Sequence, residues 1–305
     1  MSITDNKPRP MRAVVTCSAA REDRVKAVAA MPADGMWIDL ESTVPIGAKE
    51  QARRTAASLI PWARQEKGKF PLVRVNAMRT GLLEADLEAV VSPSLYAVLL
   101  PKSEGPRDII ACAALLDGVE RRKGIPLGHT LICPIMESAG AVRQAYEIAT
   151  ASPRVQYVCS GTAKNGDLAR SVGFQWTAEG METLFLRSKT LLDFRAAGVK
   201  YCISGAWTDH EDLQGFRRFA EQSKQLGFTG LMCPGKPELL KIVNEVFTPS
   251  AAEIDYYRRV IRAMEEAEKE GHADAFVDGG FIDESMREYA YDQLEICRLF
   301  GLIKD

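Results

Sequence analysis

The chain has 305 residues, 46% of them hydrophobic and 26% charged, so it carries enough apolar material to fill a sizeable core. A formal net charge of −2 gives no electrostatic reason to expect a nucleic acid or an anionic membrane as partner. No apolar run approaches the roughly 18–20 residues of a membrane-spanning helix, which speaks against a transmembrane protein.

The first ten residues, "MSITDNKPRP", are polar and proline-containing and read as a disordered lead-in rather than a signal peptide. Eight short apolar runs then alternate with helical patterns: "AVVTCS" from Ala13, "MWIDL" from Met36, "PLVRVN" from Pro71, "YAVLL" from Tyr96, "TLICPIME" from Thr130, "VQYVCS" from Val155, "VKYCIS" from Val199 and "TGLMC" from Thr229. Amphipathic stretches such as "AKEQARRTAASLI" separate them, and several end in glycine. Eight βα repeats across residues 11–245 predict a TIM (β/α)8 barrel, and no G-x-G-x-x-G follows a strand to suggest a dinucleotide fold. Residues 246–305 read as a C-terminal helical extension. Ser250 and Glu253 form a capping box there, "AFVDGGFIDE" reads as a hairpin or tight turn, and a last helix covers roughly 284–300. So long a tail is expected to pack on the barrel or on a neighbouring subunit.

The seven cysteines show no C-x-x-C spacing and are expected as small buried side chains in a reducing, cytoplasmic setting. The three histidines, His129, His210 and His272, have no metal-ligand spacing.

Catalytic groups of a TIM barrel come from the carboxyl ends of its strands. Those ends carry Asp39 and Glu41, Arg74 and Asn76, Lys102 and Glu104, Glu137, and Asp167 in a loop. In "VRVNAMRTG", Val73 and Val75 face one way, so Arg74 faces the other. Glu137 and Asp167, on adjacent loops, suit Mg2+, which takes one or two protein carboxylates and leaves places for substrate oxygens. The alternative for Asp167 is to cap the short helix "DLARSVG".

The run "MWIDLESTVPIGAKEQARR" resembles the "DLEDAV…K…AR" stretch of the HpcH/HpaI aldolase and citrate lyase β-subunit family. "VRVNAMRTG" resembles its "RVN…T" strand, "LLPKSEG" its "PKVE", "PIMESAGAV" its "IET" strand, and "SGTAKNGDLA" its glycine-to-"DLA" loop. "VNEVFTPSAAEI" and "VDGGFIDE" are similar to its tail, so the resemblance runs from about Arg12 to Tyr291. It implies a barrel of the phosphoenolpyruvate/pyruvate type whose enzyme uses Mg2+ to cleave or form a carbon–carbon bond beside a carbonyl. The substrate implied is a small hydroxy-acyl thioester such as a citryl-, malyl- or citramalyl-CoA. By position, Glu137 and Asp167 match the metal ligands and Arg74 the arginine that holds a substrate carboxylate. Asn76, Glu41 and Glu137 join Arg74 as substrate-binding candidates. Asp283 matches an aspartate that relatives insert into a neighbour's active site as acid/base, which implies a homo-oligomer, a trimer or hexamer.

The sequence also departs from the family pattern. Ser42 replaces the second acid of "LED", Ser204 replaces the aspartate of "AIDG", and Lys236 stands near the histidine of "HP.QI". The first strand lacks the usual proline and glycine, where relatives meet CoA. Arg21, Arg24 and Lys26 can serve CoA phosphates or form only a solvated helix face. Two alternatives to the thioester lyase therefore stand: an aldolase on free 2-oxo acids, and a non-catalytic ligand-binding subunit of a lyase complex.

Overall fold

A computed structural model of the chain describes residues 6–304. It contains two compact units, which divide between Phe247 and Thr248. In the first, strands and helices alternate: β1 (Ala13–Ser18), α1 (Glu22–Ala29), β2 (Gly35–Asp39), α2 (Lys49–Gln65), β3 (Phe70–Arg74), α3 (Leu83–Val90), β4 (Ala97–Leu100), α4 (Pro106–Lys123), β5 (Leu131–Met136), α5 (Ala139–Arg143), α6 (Ala145–Thr150), β6 (Tyr157–Ser160), α7 (Asp167–Val172), α8 (Met181–Ala196), β7 (Tyr201–Ser204), α9 (Leu213–Leu226), β8 (Gly230–Cys233) and α10 (Pro237–Phe247). The eight parallel strands close in sequence order, with β1 pairing with both β2 and β8. This is the expected TIM barrel.

The period-two pattern sorts its side chains into layers. Val14, Trp37, Leu72, Leu99, Ile135 and Ile203 share the inner cluster, whereas Val15, Ile38, Val73, Val75 and Cys202 belong to the larger layer that includes the helices. Arg74 follows Leu72 by two residues and so opens into the barrel mouth. Glycine ends two of the helices where the chain must turn left-handed: Gly124 (φ 64°) after α4 and Gly227 (φ 106°) after α9.

Residues 6–10 correct the expectation of a disordered lead-in. Asn6 Nδ2 donates to the carbonyls of Leu95, Tyr96 and His129, and Arg9 N–H donates to Tyr157 Oη at 2.7 Å. Tyr96 and Tyr157 share a hydroxyl hydrogen bond of 2.7 Å, and Tyr157 stacks on Tyr201, so the first residues are stitched onto an aromatic floor at the amino ends of the strands. Residues 1–5 of the expected lead-in lie outside the described residues.

In the second unit, α11 (Ala251–Lys269) starts from the expected Ser250–Glu253 capping box. β9 (Asp274–Val277) and β10 (Gly280–Asp283) form an antiparallel hairpin, and α12 (Glu284–Leu299) follows. Asp278 and Gly279 both have positive φ, the backbone a two-residue hairpin turn requires. Val260, Met264, Val277, Ile282 and Ala290 form this unit's own core.

All seven cysteines are free and buried, as expected. Among the described residues, no helix is long and apolar enough to cross a membrane.

Candidate active site

The carboxyl ends of the strands surround a cleft of about 1030 Å3. Its charged centre follows from strand register. Asp39 ends β2, Arg74 ends β3, and the two are paired residues on the last rung. Arg74 Nε and Nη2 each donate to an Asp39 carboxylate oxygen at 2.7 Å, Nη2 also donates to Ser42 Oγ, and the guanidinium lies 5.4 Å from the Trp37 ring centroid. Asp39 further accepts from Glu41 N–H, Thr43 N–H and Thr43 Oγ1. Burial disfavours the Asp39 carboxylate, but the Arg74 hydrogen bonds and charge outweigh it and hold the carboxyl below its ordinary range.

A second cluster surrounds Lys102, just past β4. Its Nζ lies 2.5 Å from Glu41 Oε1 and 3.6 Å from Asp167 Oδ2, while its own N–H donates to Glu137 Oε1 at 2.7 Å. Glu41 Oε2 lies 3.4 Å from Arg74 Nη1. Glu41, one of the substrate-binding candidates, is thus a counter-ion to two cations. Burial drives Glu137 from its ordinary 4.5 up to about 7, and the carboxylates of Asp167 and Glu41 push the same way against Lys102 N–H and Arg74.

Arg74 balances Asp39, and Lys102 balances Glu41. Glu137 and Asp167 remain, two carboxyl groups without a close side-chain cation: Lys102 Nζ and Arg170 each lie 3.6 Å from Asp167, and Arg170 is largely exposed. Both line the cleft. Two adjacent carboxylate donors, one raised in pKa partly by the other, fit a hard divalent cation such as Mg2+. The capping alternative for Asp167 is not realised, because Gly166 is the N-cap of α7 and no side chain caps it. The close packing of the two strand ends depends on Gly161, where a Cβ would come within 2.6 Å of Glu137 Cβ.

The HpcH/HpaI aldolase/citrate lyase family profile matches residues 12–235. The chain belongs to this family. A (3S)-malyl-CoA thioesterase from Cereibacter sphaeroides is 33% identical over 278 residues, 91% of this chain and 91% of that protein. Citrate lyase subunit beta of Escherichia coli is 29% identical over 303 residues, covering 99% of this chain and 98% of the relative. Among solved structures, CitE from Mycobacterium tuberculosis in complex with magnesium, acetoacetate and coenzyme A is similar with a TM-score of 0.71 at 24% identity, over 96% of this chain and 100% of that one. The same protein in complex with magnesium and acetoacetate aligns at 25% identity and a TM-score of 0.61, over 80% of this chain and 92% of that one.

The departures from the family pattern have distinct structural consequences. Ser42 stays in the centre and accepts from Arg74, where an acid would add another negative charge. Ser204 is not at the rim: its hydroxyl is fully buried and shares a 2.8 Å hydrogen bond with Ser223 of α9. Lys236 does line the cleft and pairs with Glu211. Arg21 and Arg24 also line it, whereas Lys26 pairs with Glu22 on the α1 surface. His210, which lacks metal-ligand spacing in the sequence, is in the cleft wall with Ala206 and Thr208. Trp207 anchors that wall from behind, packed against Trp176 and Phe219, with Nε1–H donating to Asp209 O at 2.5 Å.

Two other candidates make different contacts. Asn76 does not reach the cleft: its Nδ2 donates to Leu40 O and Asp86 Oδ2, and its Oδ1 accepts from Lys49 Nζ at 2.8 Å. Past the end of β3 the chain leaves the strand, and the side chain joins a buried network in which Asp86 also binds Arg53 at 2.7 Å. Asp86→Ala is expected to lower stability by about 3–5 kcal/mol, because it leaves buried cationic and amide donors unpaired. A lower urea midpoint with unchanged metal binding in the cleft would be the sign. Asp283 belongs to the second unit and is the N-cap of α12; its Oδ1 accepts from Ser285 Oγ and Met286 N–H.

Proposed function

We propose that this chain is a Mg2+-dependent carbon–carbon lyase of retro-Claisen or aldol type acting on a small hydroxy-acyl CoA thioester. The observation that carries the reading is the convergence of Arg74 with Glu137 and Asp167, two carboxylates left without strong partners in one cleft. The family's citrate lyase subunits, its malyl-CoA thioesterase and the magnesium complexes of CitE support it. A cleft of about 1030 Å3 with Arg21, Arg24 and Lys236 in its lining suits a phosphate-bearing thioester better than a free 2-oxo acid.

Glu137 and Asp167 would hold the metal, which supplies Lewis-acid stabilisation to an oxygen that gains negative charge. Arg74, fixed by Asp39, offers its Nη1 edge to the substrate carboxylate and thereby orients the bond to be broken. An acid/base must take the hydroxyl proton as the bond cleaves and return a proton to the departing acyl carbon. Asp283 of a neighbouring copy is proposed for that role, with the chain acting as a homo-oligomer. Its carboxylate sits at the exposed start of α12, where Ser285 Oγ and Met286 N–H donate to Oδ1.

The malyl-CoA thioesterase relative favours a second reading, hydrolysis of the thioester itself. Product analysis on malyl- and citramalyl-CoA with Mg2+ separates the two. A lyase yields acetyl-CoA and an oxo acid, a thioesterase yields free CoA thiol and the hydroxy acid. Turnover of neither thioester, with cleavage of free oxo-acid aldols instead, would sink both.

A further inference from the structure

We propose that Lys102 is a positioning residue that stands in for the cation: its ammonium rests against Asp167 until a divalent ion takes that carboxylate, and its backbone N–H meanwhile holds Glu137. The inference rests on the reading of Glu137 and Asp167 as the Mg2+ ligands, and it assigns a distinct task to a side chain that holds no metal.

Three observations carry it. Lys102 has φ 54°, a left-handed conformation that side chains rarely adopt, so its contacts must hold it there. From that position one residue meets three carboxylates: Glu137 through its N–H at 2.7 Å, Glu41 through Nζ at 2.5 Å, and Asp167 through Nζ at 3.6 Å. The grip is unequal, tight on Glu41 and loose on Asp167. The other central cation is committed elsewhere, since Arg74 is bound on two nitrogens by Asp39. Arg170, the remaining cation near Asp167, is also 3.6 Å away but its side chain is 81% exposed, where water screens it.

A divalent ion at Asp167 therefore meets a resident positive charge, and that charge already has a second home on Glu41. Retreat of the ammonium needs no new partner. The N–H contact fixes one Glu137 oxygen throughout and leaves the other for the cleft. Lys102 thereby weakens cation binding while keeping the carboxylates of the empty site from being driven apart by their mutual repulsion.

Calorimetric Mg2+ titration of the full-length, chelator-treated chain tests this. Lys102→Met keeps the amide and the length of the side chain but drops the charge. Lys102→Gly also removes the cost of positive φ, so a folding defect is not expected of it. Both are expected to bind Mg2+ at least about tenfold more tightly than the wild type, a direction that structural damage would not produce. Lys102→Arg, which keeps the charge, should stay near wild type. In the Met variant the KM for substrate is expected to rise, because Glu41 is freed to close on Arg74 Nη1, 3.4 Å away. Unchanged or weaker Mg2+ binding in both neutral variants, with normal binding by the wild type, overturns the proposal and leaves the metal reading intact. A wild type that binds no Mg2+ overturns both.

Discussion

Glu137→Gln is expected to abolish Mg2+ binding and reduce turnover by about 10^3-fold or more, the loss of about 4 kcal/mol of transition-state stabilisation. The variant exchanges a carboxylate for an isosteric amide beside Lys102 N–H, so its fold should survive. It also changes the pH dependence of stability. The folded chain holds the Glu137 proton up to about 7 where the ordinary value is 4.5, so it binds more protons than the unfolded chain between those values. The stabilisation is present in full below about 4.5 and is lost as pH rises through 7, a decline of about 3 kcal/mol. Thermal melts of the metal-free wild type should therefore lose more between pH 5 and 7.5 than those of the Gln variant. Mg2+ affinity of the wild type should rise over the same interval. Parallel pH profiles for the two proteins would refute the assignment. If Asp283 acts in a neighbour's cleft, mixing Glu137→Gln chains with Asp283→Asn chains restores activity that neither has alone. Mixtures as inactive as their parts would place Asp283 outside the reaction.

Arg74→Ala is expected to damage both stability and function. It strands Asp39, whose side chain is 3% exposed, as a buried carboxylate without its cation, at a cost of about 3–5 kcal/mol. KM for substrate should rise sharply. Arg74→Lys should not rescue it, because one ammonium cannot span both Asp39 oxygens. The double variant with Asp39→Asn removes the stranded charge and should recover part of the melting temperature without recovering KM. Full stability in Arg74→Ala alone would contradict the pairing described here.

The barrel was legible because its eight strands are short apolar runs between amphipathic helices, a pattern set by local chemistry. The position of Arg74 followed from the same alternation. What stayed hidden depended on register and on chain direction beyond the strands. Asp39 reads as a lone acid until β2 and β3 are aligned, when it becomes the partner of Arg74. Asn76 stands in the sequence as a strand-end candidate beside Arg74, but β3 has already ended at Arg74. Ser204 takes the position of the family's "AIDG" aspartate, yet Ile203 faces the inner cluster and its neighbour must face the helices. The task of Lys102 depends on a backbone angle that no residue type in "LLPKSEG" announces.

The sealed floor has a kinetic consequence. With residues 6–10 laced across Tyr96, Tyr157 and His129, and with an apolar cluster filling the barrel interior, the cleft is closed off from the amino ends of the strands among the described residues. In the proposed reaction the fragment held by Arg74 lies innermost and the CoA fragment lies toward Arg21 and Arg24. On that reading the outer CoA product is expected to leave before the inner acid, and product inhibition by the acid would show it.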